Sequence, residues 1–342
     1  MTRPTLPVGA ATGIGSLGVA DHAEACSFVF DHTPALPAAP SLPQADPSES
    51  IIGQAAAGLA GTRVSDDGAL AVDTAALLES DIQVARSLDG PEYAGMRAFV
   101  DAAVARRASS DDGPSRLKFQ LTGPVTFGLA LAGEGVPIAK AFPLAGAVVR
   151  ERAAAFAGLF RERLADVTPV VFLDEPGLTS MTHPGFPLAP SDTVALVRSV
   201  LDVFDTETLT GIHCCGSTDW AAVIAAGSDV LSTPLDCGLG FAGEELSRFL
   251  QRGGWVAWGA VPTDRPLGTT IDRYWQSLSA VWGRLAESGC DPVLLRTQAL
   301  VTPACGLAGY QASQSARVFQ LVNAIADRLR SQAVGLRLQV GA

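Results

Sequence analysis

Short apolar runs alternate with longer amphipathic stretches along most of this chain, and few architectures accommodate that alternation. Strand-length runs lie at residues 10–15, 117–122, 169–174, 209–213, 229–233, 255–260 and 300–303. Helical spacing of apolar residues marks 74–88, 92–107, 143–166, 191–204, 219–226, 243–251, 271–287 and 313–333. Strands separated by helices pair in parallel, and eight or so such units across about 300 residues predict a closed (β/α)₈ TIM barrel. A doubly wound open sheet is the alternative. No GxGxxG opens a helix behind the first strand and no Walker A motif occurs, so nucleotide binding has little support.

Composition points to a soluble globular enzyme or binding domain, and residues 1–342 read as a single catalytic barrel domain. Hydrophobic residues make up 48% and charged residues 17%, enough to bury a large core. The formal net charge is −11 and the lysines are Lys118 and Lys140 alone, which argues against nucleic acid or an anionic membrane surface as partner. Met1-Thr2-Arg3-Pro4 leads into no apolar run, and the most apolar stretch, 121–149, is broken by Gly, Pro, Glu134 and Lys140. Six cysteines are too few for a disulfide scaffold and point to the reducing cytoplasm. The Pro-rich segment 33–47, TPALPAAPSLPQADP, reads as a long loop packed over the scaffold.

In a barrel, chemistry gathers at the C-terminal ends of strands. Ser16, Thr122, Asp174, Glu175, His213, Cys214, Cys215, residues 233–237 and Cys305 all fall there. A His-x-Cys pair at a strand end presents an imidazole and a thiol to one ion, because residues i and i+2 share a face. With Cys305 from another strand end, His213 and Cys215 make a mixed nitrogen and sulfur set that suits zinc. The plainer alternative is a satisfied core histidine among small buried thiols.

Ile14-Gly15-Ser16, Leu121-Thr122-Gly123-Pro124-Val125-Thr126, Leu173-Asp174-Glu175-Pro176-Gly177-Leu178, His213-x-Cys215, Asp229-Val230-Leu231-Ser232 and Thr302-Pro303-Ala304-Cys305-Gly306-Leu307 follow one another in order. Together they resemble the catalytic barrel of cobalamin-independent methionine synthase, within the superfamily that includes uroporphyrinogen decarboxylase. The resemblance is to its single-barrel members. It implies a Zn²⁺ cofactor held by His213, Cys215 and Cys305. It also implies that Asp174 binds the amino group of homocysteine and Ser16 its carboxylate, with Glu175 at the same strand end. The implied reaction is methyl transfer to the homocysteine thiol, giving methionine.

Three positions depart from that pattern. Pro234 stands where the family has a glutamate zinc ligand. Asp236, two residues and about 7 Å further along a strand, is the expected replacement, with Cys237 as the alternative. Phe127-Gly128-Leu129-Ala130 stands where full-length members place a pterin-stacking tryptophan, and residues 259–264 carry no histidine. The methyl donor is therefore open between a methylfolate and a methylated corrinoid, free or on a partner protein. His183 can overhang the site. Two rival readings are a corrinoid-linked methyltransferase with another thiol acceptor, and a non-catalytic barrel with a structural zinc held by His213, Cys215, Cys237 and Cys305. Uroporphyrinogen decarboxylase itself presents arginines early in the chain, whereas only Arg3 precedes Arg63 here.

Overall fold

The computed structural model describes residues 4–109 and 113–340. A small antiparallel ribbon joins β1 (Thr62–Val64) to β2 (Leu70–Val72). The remaining strands form one curled parallel sheet in chain order. They are β3 (Arg116–Thr122), β4 (Thr168–Asp174), β5 (Leu209–His213), β6 (Val230–Pro234), β7 (Trp255–Val261) and β8 (Ala299–Pro303). Parallel neighbours need crossovers, and helices supply them. Pro124–Gly133 and Ile138–Arg163 join β3 to β4, Pro190–Leu201 joins β4 to β5, and Trp220–Ala225 joins β5 to β6. Gly243–Gln251 leads to β7, Asp272–Glu287 and Pro292–Thr297 lead to β8, and Ala312–Val340 ends the chain's described part.

Both faces of the sheet are covered, which is why its strands read as apolar runs. Val170, Phe172, Leu209, Val230, Trp255, Ala257 and Leu300 pack together on the concave face with Leu6, Ala10 and Leu36. Alternate residues, among them Phe119, Val171, Ile212, Leu231 and Val301, join the larger core shared with the helices.

In place of the expected closed eight-stranded barrel, the described residues form this six-stranded sheet with two short segments at its edges. Run 10–15 is not a strand. Its neighbourhood makes a single bridge to β8, with Gly9 and Thr12 donating to the carbonyls of Ala299 and Val301 at 2.8 and 3.0 Å. At the other edge, Lys118 donates to the Pro37 carbonyl (2.9 Å) and Ala39 donates to that of Lys118 (2.8 Å). The two segments meet where Leu17 donates to Ser41 (3.0 Å). Gly13 and Gly15 in one segment and Pro37 and Pro40 in the other explain why neither extends into a ladder, since glycine weakens a strand and proline donates nothing. The Pro-rich segment is buried from Leu36 to Leu42.

Other expectations shift in detail. The helix expected over 74–88 is cut into Thr74–Leu78 and a 3₁₀ turn at Ile82–Arg86, because Asp81 turns its carboxylate onto the Gln83 N–H and starts a new element. The helix expected from 143 begins at Ile138 and carries Pro143 inside it. Helix Pro124–Gly133 has no amphipathic period to betray it, being apolar nearly all round and largely buried. Among the described residues, no helix is long and apolar enough to cross a membrane.

Candidate metal centre

The sequence of β3 alternates strictly, Arg116-Leu117-Lys118-Phe119-Gln120-Leu121-Thr122, and parity sends its apolar members to the helices and its polar members to the concave face. Strand register then lines up polar residues at the carboxyl ends. Thr122 pairs with Asp174, Asp174 with His213, and His213 with Ser232. Four chain segments far apart in sequence thus deliver one polar row to the end of an apolar sheet.

His213 is the last residue of β5 and is buried. Its Nδ1 lies 2.9 Å from Ser232 Oγ on the neighbouring strand. Its Nε2 is buried without a hydrogen bond of ordinary geometry, and the imidazole lies close enough to the Cys305 thiol to pull its pKa down, an arrangement that a shared ligand would satisfy. Cys215 follows two residues beyond β5, and Cys305 two beyond β8. The imidazole nitrogen and the two sulfurs lie within 4.8 Å of one another. Cys305 is placed by its flanks: Ala304 donates to the Val261 carbonyl (2.8 Å) and Leu307 to that of Ser16 (2.9 Å). Gly259 makes that approach possible, since a Cβ there would fall 2.8 Å from Ala304 Cα.

The hydrogen bond between the thiols holds Cys215 below the ordinary thiol value and pushes Cys305 up to about 12. One imidazole nitrogen, two thiols and an orienting hydroxyl behind the histidine form a donor set that fits zinc. Cys214 points the other way, into the core shared with the helices, and burial pushes its thiol up to about 12.

The structure does not bring Asp236 into this cluster. β6 ends at Pro234 and the chain turns, so strand parity no longer governs the residues beyond it. Asp236 is exposed and its Oδ2 accepts from Arg265 at 3.0 Å, while Asp264 accepts from the same guanidinium at 2.8 Å. Cys237 is buried with its Sγ 3.6 Å from the Cys215 carbonyl, outside the three-residue group. His183 is exposed and its Nδ1 accepts from Gly185. His22 pairs with buried Glu49 (2.5 Å), and Cys26 and Cys290 are core thiols.

Asp174 and Glu175 face opposite ways, as adjacent strand-end residues do. Glu175 turns to the start of helix Pro124–Gly133, where Oε1 accepts from Val125 N–H (2.9 Å) and Oε2 from Thr126 N–H (2.7 Å) and Oγ (2.6 Å). Burial pushes its carboxyl up to about 7 against the pull of these bonds. Removing it strands three donors, so Glu175→Ala is expected to cost about 3–5 kcal/mol of stability in urea unfolding. Unchanged unfolding in urea would refute its role at the helix.

Asp174 points to the concave face with Oδ1 buried and unpartnered. Burial pushes its carboxyl up to about 7, and the ammonium of Lys118 opposes the rise. Lys118 is itself lowered to about 8 by burial; its Nζ donates to the Ile14 carbonyl (2.6 Å) and lies 4.7 Å from the Phe172 ring centre. Lys118, Gln120 and Ser232 were missed as site residues from sequence. The alternation of β3 and the register of Ser232 beside His213 are the signals that could have found them.

Two cavities meet at the thiols. One, of about 380 Å³, is walled by Ser16, Gln120, Asp174 and His213 as well as Cys215 and Cys305. The other, of about 440 Å³, runs from the same two cysteines past Gly259 to Asp264, Arg265 and Tyr274. The thiol pair is therefore reachable from both.

No protein-family model and no curated protein sequence matches this chain. Among solved structures, it is similar to a candidate vitamin-B12-independent methionine synthase from Listeria monocytogenes, with a TM-score of 0.52 and 12% identity over 95% of this chain and 99% of that one. A B12-independent methionine synthase from Shewanella sp. W3-18-1, solved with selenomethionine, aligns over 69% of this chain and 68% of that one at 17% identity and a TM-score of 0.49. The chain thus shares the fold of the Listeria protein.

Proposed function

We propose that this chain is a zinc-dependent S-methyltransferase that methylates the thiol of L-homocysteine to methionine, with the six-stranded sheet and its two edge segments acting as one closed (β/α)₈ barrel domain. What carries the reading is the His213, Cys215 and Cys305 group at the junction of two cavities, with a buried imidazole nitrogen beside the thiols. A transfer between two molecules needs an acceptor on one side and a donor on the other.

Zinc bound there would turn the substrate thiol, otherwise only a few per cent ionised near pH 7, into a nucleophilic thiolate. The chain's own residues hold the acceptor. Asp174 takes the ammonium group and Ser16 the carboxylate, both from walls of the smaller cavity. Ser232 fixes the ring of His213 so that Nε2 faces the cysteines. The sulfur then attacks the methyl carbon in line; the S–C bond forms as the carbon–donor bond breaks, and the donor leaves with the electron pair. The donor approaches through the larger cavity, past the Asp236–Arg265–Asp264 rim. Three protein ligands leave a position for substrate, whereas a structural site needs four; the placement of Cys237 outside the group supports the open arrangement.

Zinc K-edge absorption with and without L-homocysteine tests this. The expected result is one zinc per chain that gains a sulfur neighbour at about 2.3 Å. A saturated site indifferent to homocysteine, or a protein that takes no zinc, would sink the proposal. Turnover with methylfolate against methylcobalamin then identifies the donor.

A further inference from the structure

Gln120 has no role in the reading above, yet its side chain is set like a binding group. Its Nε2 donates to the Ala39 carbonyl at 2.7 Å. Only the amide NH₂ can donate to a carbonyl, so that bond fixes which way the amide faces and leaves Oε1 as the presented atom. The amide packs flat on Gly15: a Cβ there would fall 2.5 Å from Nε2 and 3.0 Å from Oε1. Gly15 is thus the residue that admits Gln120 beside Ser16.

Oε1 of Gln120 is buried and has no hydrogen-bond donor, and neither has Oδ1 of Asp174. Both residues wall the same cavity as Ser16 and His213. The nearby Lys118 ammonium acts on Asp174 through its charge, but the hydrogen bond it makes goes to the Ile14 carbonyl, and both acceptors remain without a donor. Two unmet acceptors in one cavity, one of them on a carboxylate, suit a ligand with several donors. A primary ammonium has three donors and no lone pair; a hydroxyl supplies one, and a carboxylate supplies none.

Resting on the homocysteine reading, we propose that Gln120 is a specificity-determining residue whose Oε1 works with Asp174 Oδ1 to receive the ammonium group of an α-amino thiol. The pair makes the cavity selective for amino-acid thiols over simple mercapto acids, since a ligand without the ammonium leaves both acceptors buried and unpaired.

Calorimetric binding to zinc-loaded protein tests the assignment, using L-homocysteine and its desamino analogue 4-sulfanylbutanoate. Gln120→Leu is expected to weaken homocysteine roughly 10- to 100-fold and to leave the analogue within about threefold, in line with loss of one hydrogen bond to a charged group. Gln120→Glu keeps an acceptor in place and should retain homocysteine binding. Zinc content and the thermal unfolding of each variant report that it is folded. Equal weakening of both thiols in Gln120→Leu, or no weakening of either, would overturn the role given to Gln120. Wild-type protein that binds neither thiol would instead overturn the thiol-transfer reading, and Gln120's role with it.

Discussion

Cys215→Ser is expected to yield a folded protein that holds zinc roughly a thousandfold less tightly and transfers no detectable methyl group. Structural zinc sites with four ligands bind with about 10–16 kcal/mol in total, or about 3–4 kcal/mol per ligand, and about 1.4 kcal/mol is tenfold. Cys215 is half-buried at the end of β5 and shares the thiol hydrogen bond with Cys305, so a serine fits the same space without strain on the sheet. A hydroxyl remains protonated where the thiol ionises, and it is a harder ligand. Competition with a chromophoric chelator measures the loss. Undiminished zinc affinity in this variant would remove Cys215 from the metal group, and with it the reason two cavities converge there.

The second large effect is expected at Asp174. Asp174→Asn conserves shape but replaces an acceptor of charge with a neutral amide, so L-homocysteine binding should weaken about 100- to 1000-fold, the usual cost of unpairing a buried charge. The pH dependence follows from its environment. Burial raises the carboxyl to about 7, and only the ionised form receives an ammonium group. As the pH falls the acceptor is lost by protonation, so wild-type affinity should decline from about pH 8 to pH 6. The Asn variant titrates no such group and should bind weakly at a constant level across the range. A wild-type affinity flat between those values, or an Asn variant as tight as wild type, would place the substrate ammonium elsewhere.

Much of this site could be read from residue order alone, for identifiable reasons. His213, Cys215 and Cys305 stand at the ends of β5 and β8, where strand boundaries are marked by apolar runs, and a strand end is one of the few places where sequence spacing translates directly into space. Asp236 could not be placed in the same way. Extending strand parity past Pro234 assumed that β6 continued, whereas the chain turns there and Arg265 captures the carboxylate. Gln120 and Lys118 were overlooked because a polar residue in an apolar run reads as a surface position until the sheet is seen to curl around it. The two edge segments were invisible as strand partners for a related reason. A single bridge between residues 38 and 118, or 11 and 301, leaves no period in the sequence.

Those edge segments also bear on how the chain reaches its folded state. Gly9 and Thr12 hydrogen-bond to Ala299 and Val301, far later in the chain, and Arg330 reaches back to the Gly9 carbonyl. On the ribosome, at about 5–20 residues per second, residues 9–12 therefore emerge well before their partner strand exists. During that interval β3 can acquire its neighbour from 37–39 early, but residues 9–12 stay unpaired, and their contact with β8 is of very long range in sequence. Loop closure of that span slows folding. A nascent chain stalled before β8 would keep residues 9–12 open to proteases and chaperones, and the arrival of β8 would bury them.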